Sequence, residues 1–312
     1  MPLGADVNGV GGDAREAMLK SYERPMNMRL TGRLMNRIPA RVPPASIGNP
    51  NDAFRHRRRR SAWPWVFLFL LGWCRLAVAE EILVAAAADL NFVLPKIAER
   101  FEQETGHRVK LSFGSSGNFY AQIENGAPFD VFFSADMDFP RKLEAAGLVQ
   151  SGTFYEYATG KIVLWVPNQS KLDLTRGLSV LTDPAVRKIA IANPQHAPYG
   201  RAAVAALENN HLYDAVKHKL VFGENISQAF QLVNTGNADA GIVALSLVGA
   251  PGIEKTGRYY EIASASYPPI RQAVVVLKTG AKKPAARAFV EFLKRPEIAA
   301  LMREYGFQAG GH

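Results

Sequence analysis

From residue 80 onward, short apolar runs alternate with segments of helical periodicity, and this alternation constrains the fold more than any other feature. Runs such as 82–87 and 240–243 are too short for buried helices and suit strands covered on both faces. Segments such as 90–101 and 227–234 space their apolar residues as one face of a helix does. Further strands are expected at 108–113, 130–133, 161–166, 188–192, 220–222 and 272–277. Further helices are expected at 118–124, 138–146, 200–209 and 212–217, with one or two in 284–305, where Pro296 breaks the run. Such an order gives an α/β fold built on parallel sheet. Its two groups of units, with a late strand and helices returning, give two lobes. The expected division is 80–164 with 270–312 for one lobe and 165–269 for the other. Crossovers are expected near Val166-Pro167-Asn168 and Tyr267-Pro268-Pro269, where proline favours extended backbone.

The first 79 residues are of another kind. They hold 13 Lys and Arg against 5 Asp and Glu, whereas residues 80–312 hold 24 against 23. The net charge of +9 is therefore a property of the leader, and the reason to expect a nucleic-acid partner disappears with it. Within the leader, Arg57–Arg60 precede the apolar run 63–74, and Ala77-Val78-Ala79 follow. That order is a secretory signal peptide over 55–79 with cleavage after Ala79. The apolar run is short of the roughly 20 residues of a membrane span. Residues 1–54 show no periodicity and read as a disordered extension or as sequence upstream of the true start. Cys74 is the one cysteine, and bulky Trp73 before it argues against lipidation. Beyond the leader there are no disulfides, thiolate metal sites or cysteine nucleophiles.

Four stretches place small or hydroxyl-bearing residues just ahead of an expected helix: Ala87-Ala88-Asp89, Gly114-Ser115-Ser116-Gly117, Ala197-Pro198-Tyr199-Gly200 and Gly223-Glu224-Asn225-Ile226. A helix start carries unpaired N–H groups and the positive end of the helix dipole, so it receives anions. Taken singly, each stretch is also an ordinary turn or helix cap; their joint occurrence points to one small anion between two lobes. None matches a P-loop or a nucleophile elbow. The six histidines form no metal-ligand spacing, and no catalytic triad follows from the spacing of Ser, His and Asp. Binding rather than catalysis is therefore expected.

The same stretches carry a resemblance. VAAAADL (84–90), FGSSGNFYAQIENGAPFDVFFSAD (113–136), NPQHAPYGRAA (193–203) and FGENISQAF (222–230) are similar to the periplasmic molybdate-binding proteins of ABC uptake systems, as is the closing YGF at 305–307. The resemblance implies a two-lobed type II periplasmic-binding fold with the ligand cleft between the lobes. It implies a periplasmic monomer that captures molybdate or tungstate through neutral N–H and O–H donors and delivers it to a membrane permease. No cofactor is implied. Carried over by position, the oxyanion-binding residues are Ala88, Asp89, Ser116, Tyr199 and Ile226, the last through its backbone N–H, and none ligates the metal directly. Some members place Ser, Thr or Asn at Ala88-Asp89, and some have a binding tyrosine at Ala244, whose part Tyr199 then takes. Another oxyanion such as sulfate, or a periplasmic hydrolase using the same cleft, are the alternatives.

Asp89 is an acid where an anion is expected. The expected arrangement turns its carboxylate toward the N–H of Asn91 or Phe92 as a helix cap, leaving its backbone N–H to the ligand. The competing arrangement is a protonated carboxyl that donates to the oxyanion. For Ser116→Ala, weaker binding with little loss of fold stability is expected.

Overall fold

The computed structural model describes residues 79–310. The expected N-terminal extension, Cys74 and all of the signal peptide except Ala79 lie outside the described residues. The chain opens with β1 (Glu81–Ala87), a single 3-10 turn over Ala88–Leu90, α1 (Val93–Thr105) and β2 (Arg108–Gly114). It continues with α2 (Ser116–Glu124), β3 (Val131–Ser134), α3 (Asp138–Ala145), β4 (Tyr155–Gly160) and β5 (Ile162–Pro167). A further 3-10 segment leads to β6 (Ile189–Ala192), α4 (Pro198–Asn209), α5 (Tyr213–Val216) and β7 (Leu220–Gly223). Then come α6 (Ile226–Asn234), β8 (Ala240–Ala244), α7 (Leu245–Val248), β9 (Gly257–Glu261) and β10 (Ile270–Val276). α8 (Pro284–Phe292), α9 (Pro296–Glu304) and β11 (Gln308–Ala309) close the described chain. Pro296 does divide the last helical run, and it does so as the first residue of α9, where its missing N–H costs nothing.

Two sheets result. The first has the order β11-β4-β10-β3-β1-β2 and the second β7-β6-β8-β5-β9. β1 runs parallel to both β2 and β3, and β6 parallel to both β7 and β8. The period of two along each strand sorts the side chains of the first sheet between two cores. Ile82, Val84, Val131, Phe133, Val274 and Val276 face the layer of α1 and α8, with Phe101 and Phe289. Ala85, Phe132 and Val275 face the opposite layer, with Phe119 and Leu143. Both faces are covered, which is why these strands read as continuous apolar runs. In the second sheet every residue from Ile162 to Val166 is fully buried. Its core also takes in Ala87, Ala88 and Ala135 from the ends of the first sheet's strands, so the two sheets meet there. Among the described residues no helix is long and apolar enough to cross a membrane.

The passage between the sheets differs from the expectation. Val166 and Pro167 belong to β5, in register with Arg258 and Gly257, and the chain crosses at Lys161 between β4 and β5. Residues 162–164, expected with the first lobe, therefore lie in the second sheet. Proline marked the end of a strand, not the crossing. The crossing is marked by Gly160: a Cβ there would stand 2.1 Å from Tyr199 Oη and 2.7 Å from Gln272 Nε2, so only glycine fits. The return lies between β9 and β10 and contains Tyr267-Pro268-Pro269 as expected. The strands β4, β9 and β11 had no expected counterpart.

Candidate functional site

The four stretches all follow the carboxyl ends of parallel strands. β1 ends at Ala87, β2 at Gly114, β6 at Ala192 and β7 at Gly223, and ligands of open α/β sheets bind beyond such ends. Folding brings the four stretches to one small cavity of about 10 Å³ between the sheets. Its lining includes Ala88, Asp89, Ser116, Tyr199 and Ile226, together with Ser115, Ala135 and Asn225. Pockets for organic ligands run to roughly 300–1,000 Å³, so this space is far below what such ligands need. No Lys, Arg or His lines it. Ala244, at the end of β8, is buried and is not part of the lining.

The local capping decides which N–H groups remain for a ligand. Ser115 Oγ accepts from Asn118 N–H at 3.3 Å, and Gly117 N–H donates to His196 O at 2.9 Å. The first N–H of α2, that of Ser116, has no intrahelical acceptor. In α6, Asn225 Oδ1 caps Gln228 N–H at 3.0 Å, which leaves the first N–H, on Ile226, in the same position. Helix α4 starts with Pro198, which has no N–H, so its first available donor is Tyr199. Three helix starts thus offer the cavity backbone donors, and their dipoles reinforce one another there. Gly117 also sets how closely the halves approach. A Cβ on it would stand 2.8 Å from His196 O.

Ser116 has two partners to satisfy. Its Oγ accepts from Ala135 N–H at 2.9 Å, and its hydroxyl proton is left to donate elsewhere. The residue is buried, so that proton has the cavity as its outlet.

Asp89 is not a helix cap. The turn over Ala88–Leu90 has no side-chain cap. Asp89 Oδ2 instead accepts from Tyr199 Oη at 3.0 Å and from Gln272 Nε2 at 2.8 Å. Gln272 Nε2 also donates to Tyr199 Oη at 2.9 Å, and Tyr157 Oη donates to Gln272 Oε1 at 2.7 Å. Ser246 Oγ donates to the Asp89 carbonyl at 2.9 Å. The carboxylate was drawn away from Asn91 and Phe92 by donors far along the chain. The Tyr199 hydroxyl is likewise engaged inside the protein, which leaves its backbone N–H as the donor open to a ligand.

Burial dominates the electrostatics here. Asp89 is fully desolvated, which pushes its carboxyl from 3.8 to about 7, against the opposing pull of its bonds from Gln272 and Tyr199. Burial, with the Asp89 charge nearby, holds the Tyr199 phenol well above its ordinary value. The Tyr157 phenol is raised by burial and by Asp89 and Asp136. Both tyrosines therefore stay protonated donors.

Gln272 and Tyr157 escaped the sequence reading. Gln272 had a faint signal, a polar side chain opening the apolar run 272–277 and fully buried in the structure. Tyr157 had none, since β4 itself was not expected. Further contacts bridge the two sheets' layers around the cavity: Asn91 Nδ2 donates to Ser227 Oγ at 2.7 Å, and Arg201 pairs with Asp136 at 2.6 Å. Among the described residues no group of His, Cys, Asp and Glu is arranged to hold a metal ion.

Comparison with known proteins shows the family. Residues 82–308 match the family described as bacterial extracellular solute-binding protein. The chain is 45% identical over 231 residues to the molybdate-binding protein ModA of Azotobacter vinelandii, covering 74% of this chain and 91% of that protein. It is 40% identical over 239 residues to ModA of Rhodobacter capsulatus, covering 76% and 92%. The solved structure of the periplasmic molybdate-binding protein of Azotobacter vinelandii superposes with a TM-score of 0.69 at 36% identity, over 74% of this chain and all of that one. The chain belongs to the bacterial extracellular solute-binding proteins, and within them to the molybdate-binding proteins.

Proposed function

We propose that this protein captures molybdate or tungstate in the periplasm and delivers it to the permease of an ABC transporter. The observation that carries the reading is the convergence of four strand ends on one small cavity that offers neutral donors and no cationic side chain. The proposed contacts are Ala88, Asp89, Ser116, Tyr199 and Ile226. A dianion that leaves water must find a donor for each oxygen, and each hydrogen bond to a charged group contributes about 1.5–3 kcal/mol. A few such bonds reach the roughly −8 kcal/mol of micromolar affinity. Fixed donors around a small cavity also select by size, because a smaller tetrahedral anion leaves some of them unmet.

The protein acts as a monomeric binder without catalysis and without nucleic acid. It is exported through a signal peptide cleaved after Ala79. One lobe comprises the first sheet with its helices, to residue 161 and again from 270; the other comprises the second sheet between them. The support is the family itself and the neutral charge balance beyond the leader.

A thermal-shift panel of molybdate, tungstate, sulfate and phosphate tests the assignment, since a ligand bound only by the native state raises its stability. Molybdate and tungstate are expected to raise Tm by several degrees at concentrations where sulfate and phosphate do nothing. A sulfate shift equal to that of molybdate would overturn the assignment in favour of a general oxyanion binder.

A further inference from the structure

Around the cavity two buried side-chain oxygens lack a partner, Asn91 Oδ1 and Asp89 Oδ1, and of these two residues only Asp89 belongs to the cavity lining. Asp89 Oδ2 accepts two hydrogen bonds, while Asp89 Oδ1 is buried without a partner. The surrounding bonds fix the direction of every donor. Tyr157 donates to Gln272 Oε1, so the amide nitrogen of Gln272 must face Asp89 and Tyr199. Tyr199 Oη accepts from that nitrogen, which leaves Asp89 Oδ2 as the acceptor for its own proton. With Oδ2 occupied by two donors, a proton on this carboxyl sits on Oδ1. Asp89 is also part of the cavity lining.

The neighbours contain no charge that would hold Asp89 ionised. From β10 it meets Gln272, from α4 Tyr199, and from α7 the hydroxyl of Ser246. Beyond Gln272 lies Tyr157 on β4. Of the other residues lining the cavity none is ionisable except Tyr199. The nearby acid Asp136 is paired with Arg201.

Resting on the oxyanion reading above, we propose that Asp89 binds the ligand as a neutral carboxylic acid, its Oδ1–H donating to an oxyanion oxygen, so that loading the site is coupled to a proton. The oxyanion meets the protein through its oxygens, and no residue here ligates the metal. A carboxylate in that place would repel the ligand's charge through a poorly screening interior. A proton taken from solvent onto Oδ1 replaces that repulsion by a charge-assisted hydrogen bond. No bond to the metal is made or broken, and the proton returns to solvent on release. Burial already favours the neutral form in the empty cavity, and a bound dianion favours it further.

The protonated acid also sets specificity. With Oδ1–H donating and Oδ2 filled, the Asp89 carboxyl presents only a donor to the ligand. An oxyanion that carries its own proton, such as hydrogen phosphate, finds no acceptor for it on Asp89 and is disfavoured. Fully deprotonated dianions are accepted.

Calorimetric titration of the purified full-length protein with sodium molybdate tests this, from about pH 6 to about pH 9, in two buffers of different ionisation enthalpy. Above about pH 7 the affinity is expected to fall about tenfold per pH unit, with proton uptake approaching one per molybdate. Asp89→Asn, whose amide donates without taking up a proton, is expected to lose this slope and the proton uptake together. Phosphate is expected to give no binding heat. Wild-type affinity that is flat across the range with no proton uptake would overturn the proposal, as would a full slope retained by Asp89→Asn. Absence of molybdate binding at every pH would instead remove the oxyanion reading itself.

Discussion

The two halves of the cavity are built from different chemistry. Besides the Ser116 N–H, the first sheet's side contributes side chains: the Asp89 carboxyl, held by Gln272 and Tyr157, and the Ser116 hydroxyl, held by Ala135 N–H. The second sheet's side contributes main chain: the first free N–H groups of α4 and α6, on Tyr199 and Ile226. Its one prominent side chain, Tyr199, is turned to Asp89 rather than left for a ligand. A side-chain half depends on residue identity and on distant partners. A main-chain half depends on where a helix starts, which many sequences satisfy. The two halves should therefore respond to substitution in opposite ways.

The largest expected effect lies on the side-chain half, in Asp89. Its carboxyl is at about 7 in the folded protein against 3.8 for the free group. A group raised in this way stabilises the fold fully below the unfolded value and loses that contribution as pH rises through the folded one. Between these limits the loss amounts to at most about 4 kcal/mol. Asp89→Asn keeps an acceptor for Tyr199 and Gln272 and cannot ionise. In urea denaturation without ligand it is expected to exceed the wild type in stability by up to about 4 kcal/mol near pH 9, and by much less near pH 5. An equal difference at both pH values would mean that the wild-type carboxyl does not titrate in this range, and the side-chain half would lose its electrostatic character.

The same contrast explains what the sequence could reveal. Ser115 and Asn225 are local signals, because a cap and the N–H it engages lie three residues apart. The starts of α2 and α6 were therefore legible, and with them two of the backbone donors. Strands such as β3 and β8 were legible because burial on both faces makes them apolar throughout. The expectation for Asp89 failed because its partners, Tyr199 and Gln272, are separated from it by 110 and 183 residues. Local capping chemistry cannot anticipate donors that only the tertiary fold supplies. β4 and β9 were missed for a related reason: YEYATG and GRYYE mix polar and aromatic residues and are only partly buried, so neither shows a clear period.

Ser116→Ala comes next. The hydroxyl proton is expected to be worth about 1.5–3 kcal/mol to a bound anion. The structure adds a second cost, absent from the sequence-based expectation of an unaffected fold. Ala135 N–H is left without its acceptor in a buried place, at about 1–3 kcal/mol. Calorimetry should show weaker molybdate binding, and urea denaturation a less stable empty protein. Loss of stability with unchanged affinity would reduce Ser116 to a structural link between α2 and the end of β3.

The smallest effects belong to Ile226, and they test the main-chain half most directly. Ile226 is the first residue of α6, a position that tolerates proline because its N–H has no partner within the helix. The preceding residue, Asn225, has φ −143° and ψ 175°, extended backbone outside the helical region that a following proline disfavours. Ile226→Pro should therefore leave α6 and its Asn225 cap in place while deleting the one N–H proposed to meet the anion. The expected loss of affinity is about 1.5 kcal/mol, the low end for a hydrogen bond to a charged group. Ile226→Val keeps the N–H and trims a buried side chain. It is expected to cost about 0.5–1.5 kcal/mol of fold stability but to change affinity by less than about 0.5 kcal/mol. Molybdate titrations of the two variants, with circular dichroism to follow α6, separate the contributions of backbone and side chain. If valine weakens binding as much as proline does, the side chain of Ile226 shapes the site, and the second sheet's half is no more tolerant than the first.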